Sequence, residues 1–198
     1  MKKRMSTVTM VRISLLGVMG FILMQFDLRL PIFPSFLALD VSDLPGLIGA
    51  LVMGPVAGIF ISLIKNLLDF ITGSNTGGIG QFANFVIGIS LIVPIGFVYQ
   101  RRKNIQGYLI GSAVGIVCMV IVASLMNYFV LLPLFSRLFM PMETILYVAS
   151  NVNSNVTNVY TLIIFAIVPF NLLKGGLTVA LGFVLHKVLV KHLLRGAR

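Results

Sequence analysis

The chain has 198 residues, of which 58% are hydrophobic and only 10% are charged, and its mean hydropathy is +1.05. Because soluble domains carry about 25% charged residues, this composition excludes an ordinary soluble domain and indicates an integral membrane protein. The net charge is +10, but the basic residues flank apolar segments, as in membrane proteins, and this placement does not favour a nucleic-acid-binding protein. We expect a single membrane domain over residues 1–198.

The first predicted helix covers about residues 8–26. Its apolar stretch is long for a signal peptide and no small-residue cleavage site follows it, so we expect a retained membrane helix. Ser14, Gly17 and Gly20 recur on it at a spacing of three. Small residues at this spacing let another helix approach closely in lipid. That helix could belong to a partner protein or to the sixth helix of this bundle, and the sequence leaves both open.

An external capping loop is predicted at about residues 27–42. The segment is apolar but is interrupted by Pro31 and Pro34, which favours an ordered cap over a solvated loop. Asp40 has no evident structural role in it. Asp43 precedes Leu44 and Pro45, a pattern typical of a helix N-cap followed by an early proline.

The next apolar run, residues 43–72, predicts two helices. As one helix it would be about 45 Å long, against a hydrocarbon core of about 30 Å. Gly54 and Pro55 are a natural break, which gives helices at about 43–53 and 55–72. The first is short, and is tolerable only if protein covers its ends. Lys65 and Asp69 lie four residues apart in the second and could form an intrahelical ion pair.

Three more helices are predicted at about 80–99, 105–132 and 158–186, which makes six in all. With six spans, the basic groups at 2–4, at 101–103 and in the tail from 187 all face the cytoplasm, together with both termini. The segment from 132 to 157 is interpreted as an external, largely solvated loop. Gln81 and Asn84 open the fourth helix on one face, and Gln81 could equally cap the helix or bind a ligand.

The last helix carries the most informative polar residues. A lysine at mid-membrane costs about 2.5–3.5 kcal/mol on insertion scales, so Lys174 is by default a functional group. Asn171 lies three residues earlier on the same face. Snorkelling of Lys174 to an interface is the alternative, but the basic residues from 187 onward already mark the water boundary.

Polar residues from several helices therefore predict one outward-facing pocket with many amides and few charges. Such a pocket suits a neutral ligand with hydroxyl and imide groups held between apolar walls. Its predicted members are Asp40, Gln81, Asn84, Asn127, Asn171 and Lys174. Catalytic motifs and metal-ligand patterns are missing from the sequence, so an enzyme is not expected. The single cysteine, Cys118, lies in an apolar run and is expected to be a packing residue.

Five motifs in order resemble the substrate-binding S components of energy-coupling factor (ECF) transporters, and among them the riboflavin-specific members. They are residues 43–48 (DLPGLI), 54–58 (GPVAG), 64–68 (IKNLL), 80–85 (GQFANF) and 170–175 (FNLLKG). Two positions depart from the family pattern, which often has glutamate where this chain has Ser62 and Gln81. The first helix also carries Ser14, Gly17 and Gly20 where the family has an alanine-rich docking face.

This resemblance implies a six-helix membrane subunit that captures a vitamin beneath the first loop and needs no cofactor. It implies flavin contacts from Asn84, Asn127, Asn171 and Lys174, with Leu39 and Asp40 in the capping loop. It also implies a transmembrane coupling subunit and two cytoplasmic ATPases as partners in a prokaryotic cell membrane. An S component for another vitamin or precursor is one alternative. A membrane scaffold whose buried amides only bridge helices is the other.

Overall fold

The structure is a computed structural model that describes residues 6–74 and 76–185. Over these residues the chain folds into helices, with one isolated antiparallel bridge between Leu28 and Leu39. The helices are α1 (Thr7–Met24), α2 (Leu44–Met53), α3 (Pro55–Gly73), α4 (Ile79–Arg101), α5 (Ile105–Leu138), α6 (Met142–Ser150) and α7 (Val159–Leu185).

Five of these helices, α1, α3, α4, α5 and α7, are long and apolar enough to cross a membrane, and α2 is a shorter apolar helix. The predicted all-helical membrane fold is therefore confirmed for the described residues. Six spans with cytoplasmic termini stay a prediction. The basic groups at 2–4 and from 187 onward, on which the orientation partly depends, lie outside the described residues.

The bundle has two different ends, which we name by their contents. The basic end carries the α4–α5 turn with Arg101, Arg102 and Lys103. The loop end carries the segment between α1 and α2, which we call the capping loop (residues 25–43), together with the α3–α4 turn and α6. The interpretation of residues 132–157 as loop was wrong in part, because α5 continues to Leu138 and α6 follows it.

Short helix α2 occupies the middle of the bundle. Seven of its ten residues are buried, as the sequence argument required of a helix too short to span the membrane. At 1.5 Å per residue α2 is about 15 Å long, so it begins near mid-bundle and runs towards the basic end. Gly54, with φ of +102°, makes the turn into α3 that a side chain would disfavour.

The core lies where α2 meets α4, α5 and α7. It contains fully buried Leu47, Leu51, Leu91, Ile92 and Ile95. A bundle in lipid gains little from the hydrophobic effect between helices, so close packing has to hold it together. Because α2 is this tightly enclosed, its N-terminus is a fixed anchor for the capping loop.

The small-residue face of α1 packs inside this chain, against α3. A Cβ on Gly17 would lie 2.6 Å from Ile64 Cγ2, and one on Gly20 would lie 3.3 Å from Lys65 Cβ. Of the three residues predicted to dock a partner, Ser14 alone is exposed. The internal helix that α1 meets is thus α3 and not the last helix. Docking of a partner on this face stays a prediction.

Candidate functional site

The capping loop enters the bundle and reaches Lys174 on α7. Lys174 Nζ donates to Asp40 Oδ2 at 2.7 Å and lies 4.0 Å from Asp43 Oδ2. Asp40 and Lys174 are only 6% and 7% exposed. The snorkelling alternative is therefore wrong for Lys174, and Asp40, which had no evident role in the sequence, is its ion-pair partner.

A second buried ion pair lies beside the first. Lys65 Nζ donates to Asp43 Oδ1 at 2.5 Å, and both side chains are 1% exposed. The expected Lys65–Asp69 pair is wrong, because Lys65 turns towards the start of α2 instead. Asp43 does sit at the N-cap position of α2, but its carboxylate makes no capping hydrogen bond and serves Lys65.

Ser42 connects the two pairs. Its hydroxyl accepts a hydrogen bond from Lys65 Nζ at 2.7 Å and donates to Asp40 Oδ1, which also accepts from the Ser42 backbone N–H at 2.9 Å. Asp40, Ser42, Asp43, Lys65 and Lys174 together form what we call the charge network. Its two carboxylates and two ammonium groups sum to zero charge, so neither sign is left uncompensated in the interior.

Glycines on two neighbouring helices make room for this network. A Cβ on Gly88 of α4 would lie 2.7 Å from Asp43 Oδ1, and a Cβ on Gly20 of α1 would lie 3.2 Å from the Ser42 carbonyl. Both oxygens of the Asp40 carboxylate have partners, with Lys174 at Oδ2 and Ser42 at Oδ1.

Three predicted amides lie on α4, α5 and α7. Asn171 Nδ2 and Asn127 Nδ2 each donate to a carbonyl one turn earlier in their own helix, at 2.8 Å, to Ile167 O and Ala123 O respectively. One N–H of each amide is thus engaged within its own helix. Asn84 Oδ1 is buried and has no hydrogen-bond partner among the described residues, which makes it an acceptor that a ligand donor would satisfy.

Gln81 belongs to a separate polar cluster at the loop end. Its Nε2 donates to Asp69 Oδ2 at 2.7 Å, and Gln25 Nε2 donates to Asp69 Oδ1 at 3.0 Å. Ser74 Oγ donates to Gln81 Oε1 at 2.8 Å. Gln81 therefore ties the α3–α4 turn to α1 and α3, and it is not brought together with Lys174 by any contact in the described part of the chain.

Apolar side chains cover the charge network towards the loop end. Leu39, Phe33 and Phe170 form a buried cluster, with the Phe33 and Phe170 rings edge to face at 5.3 Å. Phe170 directly precedes Asn171. Leu39 therefore anchors the capping loop against α7 through Phe170, and its contact with a ligand stays a prediction.

Two cavities open at the loop end. One, of about 330 Å³, lies between the capping loop and the end of α6, and Phe33 is in its wall. The other, of about 380 Å³, lies between α5, α6 and the start of α7, next to Tyr128 and Tyr160. None of the seven predicted ligand residues lines either of these two cavities.

Both α5 and α7 contain a π-helical segment at the loop end, at Asn127–Leu131 and Ile163–Ile167. Such segments are rare and are frequent at functional sites. Asn127 begins the first one, and Val168, which follows the second, lies one turn before Asn171. One π-helical segment therefore contains the predicted ligand residue Asn127, and the other ends at Ile167, whose carbonyl accepts from Asn171. Hydropathy alone could not reveal these segments.

Sequence reasoning missed the ion pair between Lys174 and Asp40, and it missed Ser42, Asp43 and Lys65 as the other members of the charge network. The reason is depth: the capping loop was placed outside the bundle, whereas its last residues are buried inside it. A signal existed. The shortness of α2 means that its N-terminus starts about 15 Å above the basic end, and Lys65 lies ten residues after Pro55, at the same height by helix rise.

Comparisons with known proteins agree with this geometry. Residues 8–186 match the family described as ECF transporter, substrate-specific component. The riboflavin transporter RibU of Staphylococcus aureus is 33% identical over 94% of this chain and 92% of its own length. The riboflavin transporter FmnP of Bacillus subtilis is 32% identical over 84% and 83%. A solved structure, described as the S component of a bacterial ECF transporter, is 31% identical, with a TM-score of 0.73 over 93% of this chain and 96% of that one.

Proposed function

This chain belongs to the family of ECF transporter substrate-specific components, and on that premise we propose that it binds riboflavin for uptake into the cell. The observation that carries the proposal is the 33% identity to a riboflavin transporter along nearly the full length of both chains. The family is a transport component, so the chain is not an enzyme. Riboflavin is the transported ligand, and no cofactor is implied.

The chemistry of the charge network supports a neutral ligand. Riboflavin carries an uncharged ring with imide and carbonyl groups and a chain of hydroxyls. An interior whose four charges cancel does not favour an anion or a cation, whereas an unpaired Lys174 would have favoured an anion. The buried acceptor Asn84 Oδ1 suits a hydroxyl or imide N–H of such a ligand.

Lys174 can contact the ligand without leaving Asp40. An ammonium has three N–H donors, and the 2.7 Å bond to Asp40 occupies one of them. We therefore assign direct contacts to Lys174, Asn171, Asn127 and Asn84, and wall contacts to Leu39. Asp40 acts as the partner of Lys174, and Gln81 serves the α3–α4 turn.

The remaining parts of the proposal concern topology and partners. We place one membrane domain of six spans in a prokaryotic cell membrane, with both termini and the basic end in the cytoplasm. The loop end then faces the cell exterior, from which riboflavin is taken up. A transmembrane coupling subunit with two cytoplasmic ATPases would drive release inward, and exposed Ser14 marks the part of α1 that remains available to such a subunit.

Co-purification tests the ligand directly. The chain expressed in cells supplied with riboflavin should purify with the flavin absorbance bands and release one flavin per chain on denaturation. A colourless preparation that also fails to take up added riboflavin would contradict the assignment. A preparation that instead carries another vitamin would indicate a different S-component specificity.

A further inference from the structure

Lys174 lies between two carboxylates, and only one of them is its partner. Asp40 Oδ2 is at 2.7 Å from its ammonium, within hydrogen-bond distance, whereas Asp43 Oδ2 is at 4.0 Å. Both carboxylates come from the last turn of the capping loop, three residues apart. Another group must therefore hold the Asp43 carboxylate away from a hydrogen bond with Lys174.

Lys65 is that group. It holds the other oxygen of Asp43 at 2.5 Å, and its second contact, to the Ser42 hydroxyl at 2.7 Å, fixes the residue between the two aspartates. Lys65 is 1% exposed, so solvent does not screen these interactions. Its side chain comes from α3, which does not carry any of the four residues assigned to the ligand.

We propose that Lys65 is a positioning residue for the vitamin: by neutralising Asp43 it leaves Lys174 with one carboxylate partner and with donors free for the ligand. This inference rests on the proposed function, because it assumes that Lys174 contacts riboflavin. Lys65 acts through Asp43 and Ser42 and does not touch the ligand itself.

Removing the charge of Lys65 should change how Lys174 interacts with its neighbours. Replacing Lys65 by methionine changes the sum of the four charges from zero to −1 and leaves Asp43 without its partner. The nearest remaining cation is Lys174, and a closer approach across the 4.0 Å gap would give it a second carboxylate. Attraction between charges grows as distance and dielectric fall, so Lys174 would be drawn from the ligand.

The experiment is a double-variant cycle on the purified full chain with riboflavin as the probe. Lys65→Met should weaken riboflavin binding at least tenfold, which is about 1.4 kcal/mol. Lys65→Met combined with Asp43→Asn restores a net charge of zero and should bind within about threefold of the unmodified chain, since coupled residues show non-additive effects. Lys103→Met, an exposed lysine in the α4–α5 turn, is the matched control and should bind normally.

The results differ if the Lys65–Asp43 ion pair only stabilises the fold. In that case Lys65→Met lowers the melting temperature while the folded fraction binds riboflavin with unchanged affinity, and the inference is wrong. It is equally wrong if the double variant binds no better than Lys65→Met alone. Failure of the unmodified chain to bind riboflavin contradicts the proposed function as well, so the two failures are distinguishable.

Ser42→Ala covers the case in which Lys65→Met does not fold. It removes the hydroxyl that accepts from Lys65 and donates to Asp40 but leaves all four charges in place. Loss of these two hydrogen bonds should loosen the network around Lys174 and weaken riboflavin binding about two- to tenfold. Unchanged affinity in Ser42→Ala would show that the link between Lys65 and Asp40 does not position Lys174.

Discussion

Removing Lys174 should destabilise the empty protein, although a lysine inside a membrane bundle is itself costly. From the sequence alone we would expect stability to hold or rise on Lys174→Ala, because the change deletes a buried charge. The structure predicts the opposite, a loss of stability, since Asp40 lies 2.7 Å from Lys174 and is 6% exposed. Lys174→Met would leave that carboxylate buried with only Ser42 and the more distant Lys65 to compensate it.

The magnitude follows from what remains around Asp40. Breaking a buried ion pair by removing one partner costs about 3–5 kcal/mol. Asp40 keeps two hydrogen bonds from Ser42, so we expect a value near the lower limit, about 3 kcal/mol. Lys174→Met combined with Asp40→Asn leaves no unpaired charge and should recover most of the loss.

Unfolding of the ligand-free protein in detergent measures this effect. The chain has no tryptophan, so helix content by circular dichroism or exposure of half-buried Cys118 to a thiol-reactive fluorophore should report the transition. Lys103→Met is the surface control. If Lys174→Met melts at the same temperature as the unmodified chain, or if the double variant is no more stable than the single one, the ion-pair reasoning is refuted.

Three further outcomes are expected. Gly17→Leu should lower the melting temperature, because a side chain there would overlap Ile64 of α3; a normal melt with lost uptake would indicate a docking face instead. Asn84→Leu should weaken riboflavin binding about tenfold while leaving the empty protein equally or more stable, since it removes a buried acceptor without a partner; lost stability would mean that Asn84 supports the fold. Single cysteines at Lys103 and Ser154, in a chain with Cys118→Ala, should react with impermeant reagents from opposite sides of the membrane, and labelling of both from outside would refute the topology.

Hydropathy and charge predicted the helices well because both are local properties. The break at Gly54 and Pro55 was predicted from helix length against bilayer thickness, and α2 ends at Met53 and α3 begins at Pro55. The last helix, predicted at 158–186, is Val159–Leu185 in the described residues. Helix α6 was missed because Met142–Ser150, with nine residues, is too short to be recognised as a membrane span.

Side-chain partners were harder to predict, because they depend on depth and rotation. Lys65 and Asp69 have the spacing of a helical ion pair, yet the two residues point to different neighbours, Asp43 and the amides of Gln25 and Gln81. Spacing along one helix cannot reveal a competing carboxylate from a loop that enters the bundle. The same limit applies to Gly17 and Gly20, whose spacing predicts close helix packing but not the identity of the second helix.

We expect this chain alone to bind riboflavin through the polar groups beneath the capping loop. The purified, flavin-free chain can be titrated with riboflavin and binding followed by quenching of flavin fluorescence. Binding should saturate at one riboflavin per chain and be weakened at least tenfold by Asn171→Ala, since a lost 1.4 kcal/mol is a factor of ten. Folded protein that leaves riboflavin fluorescence unchanged, or that binds equally well after Asn171→Ala, would contradict it.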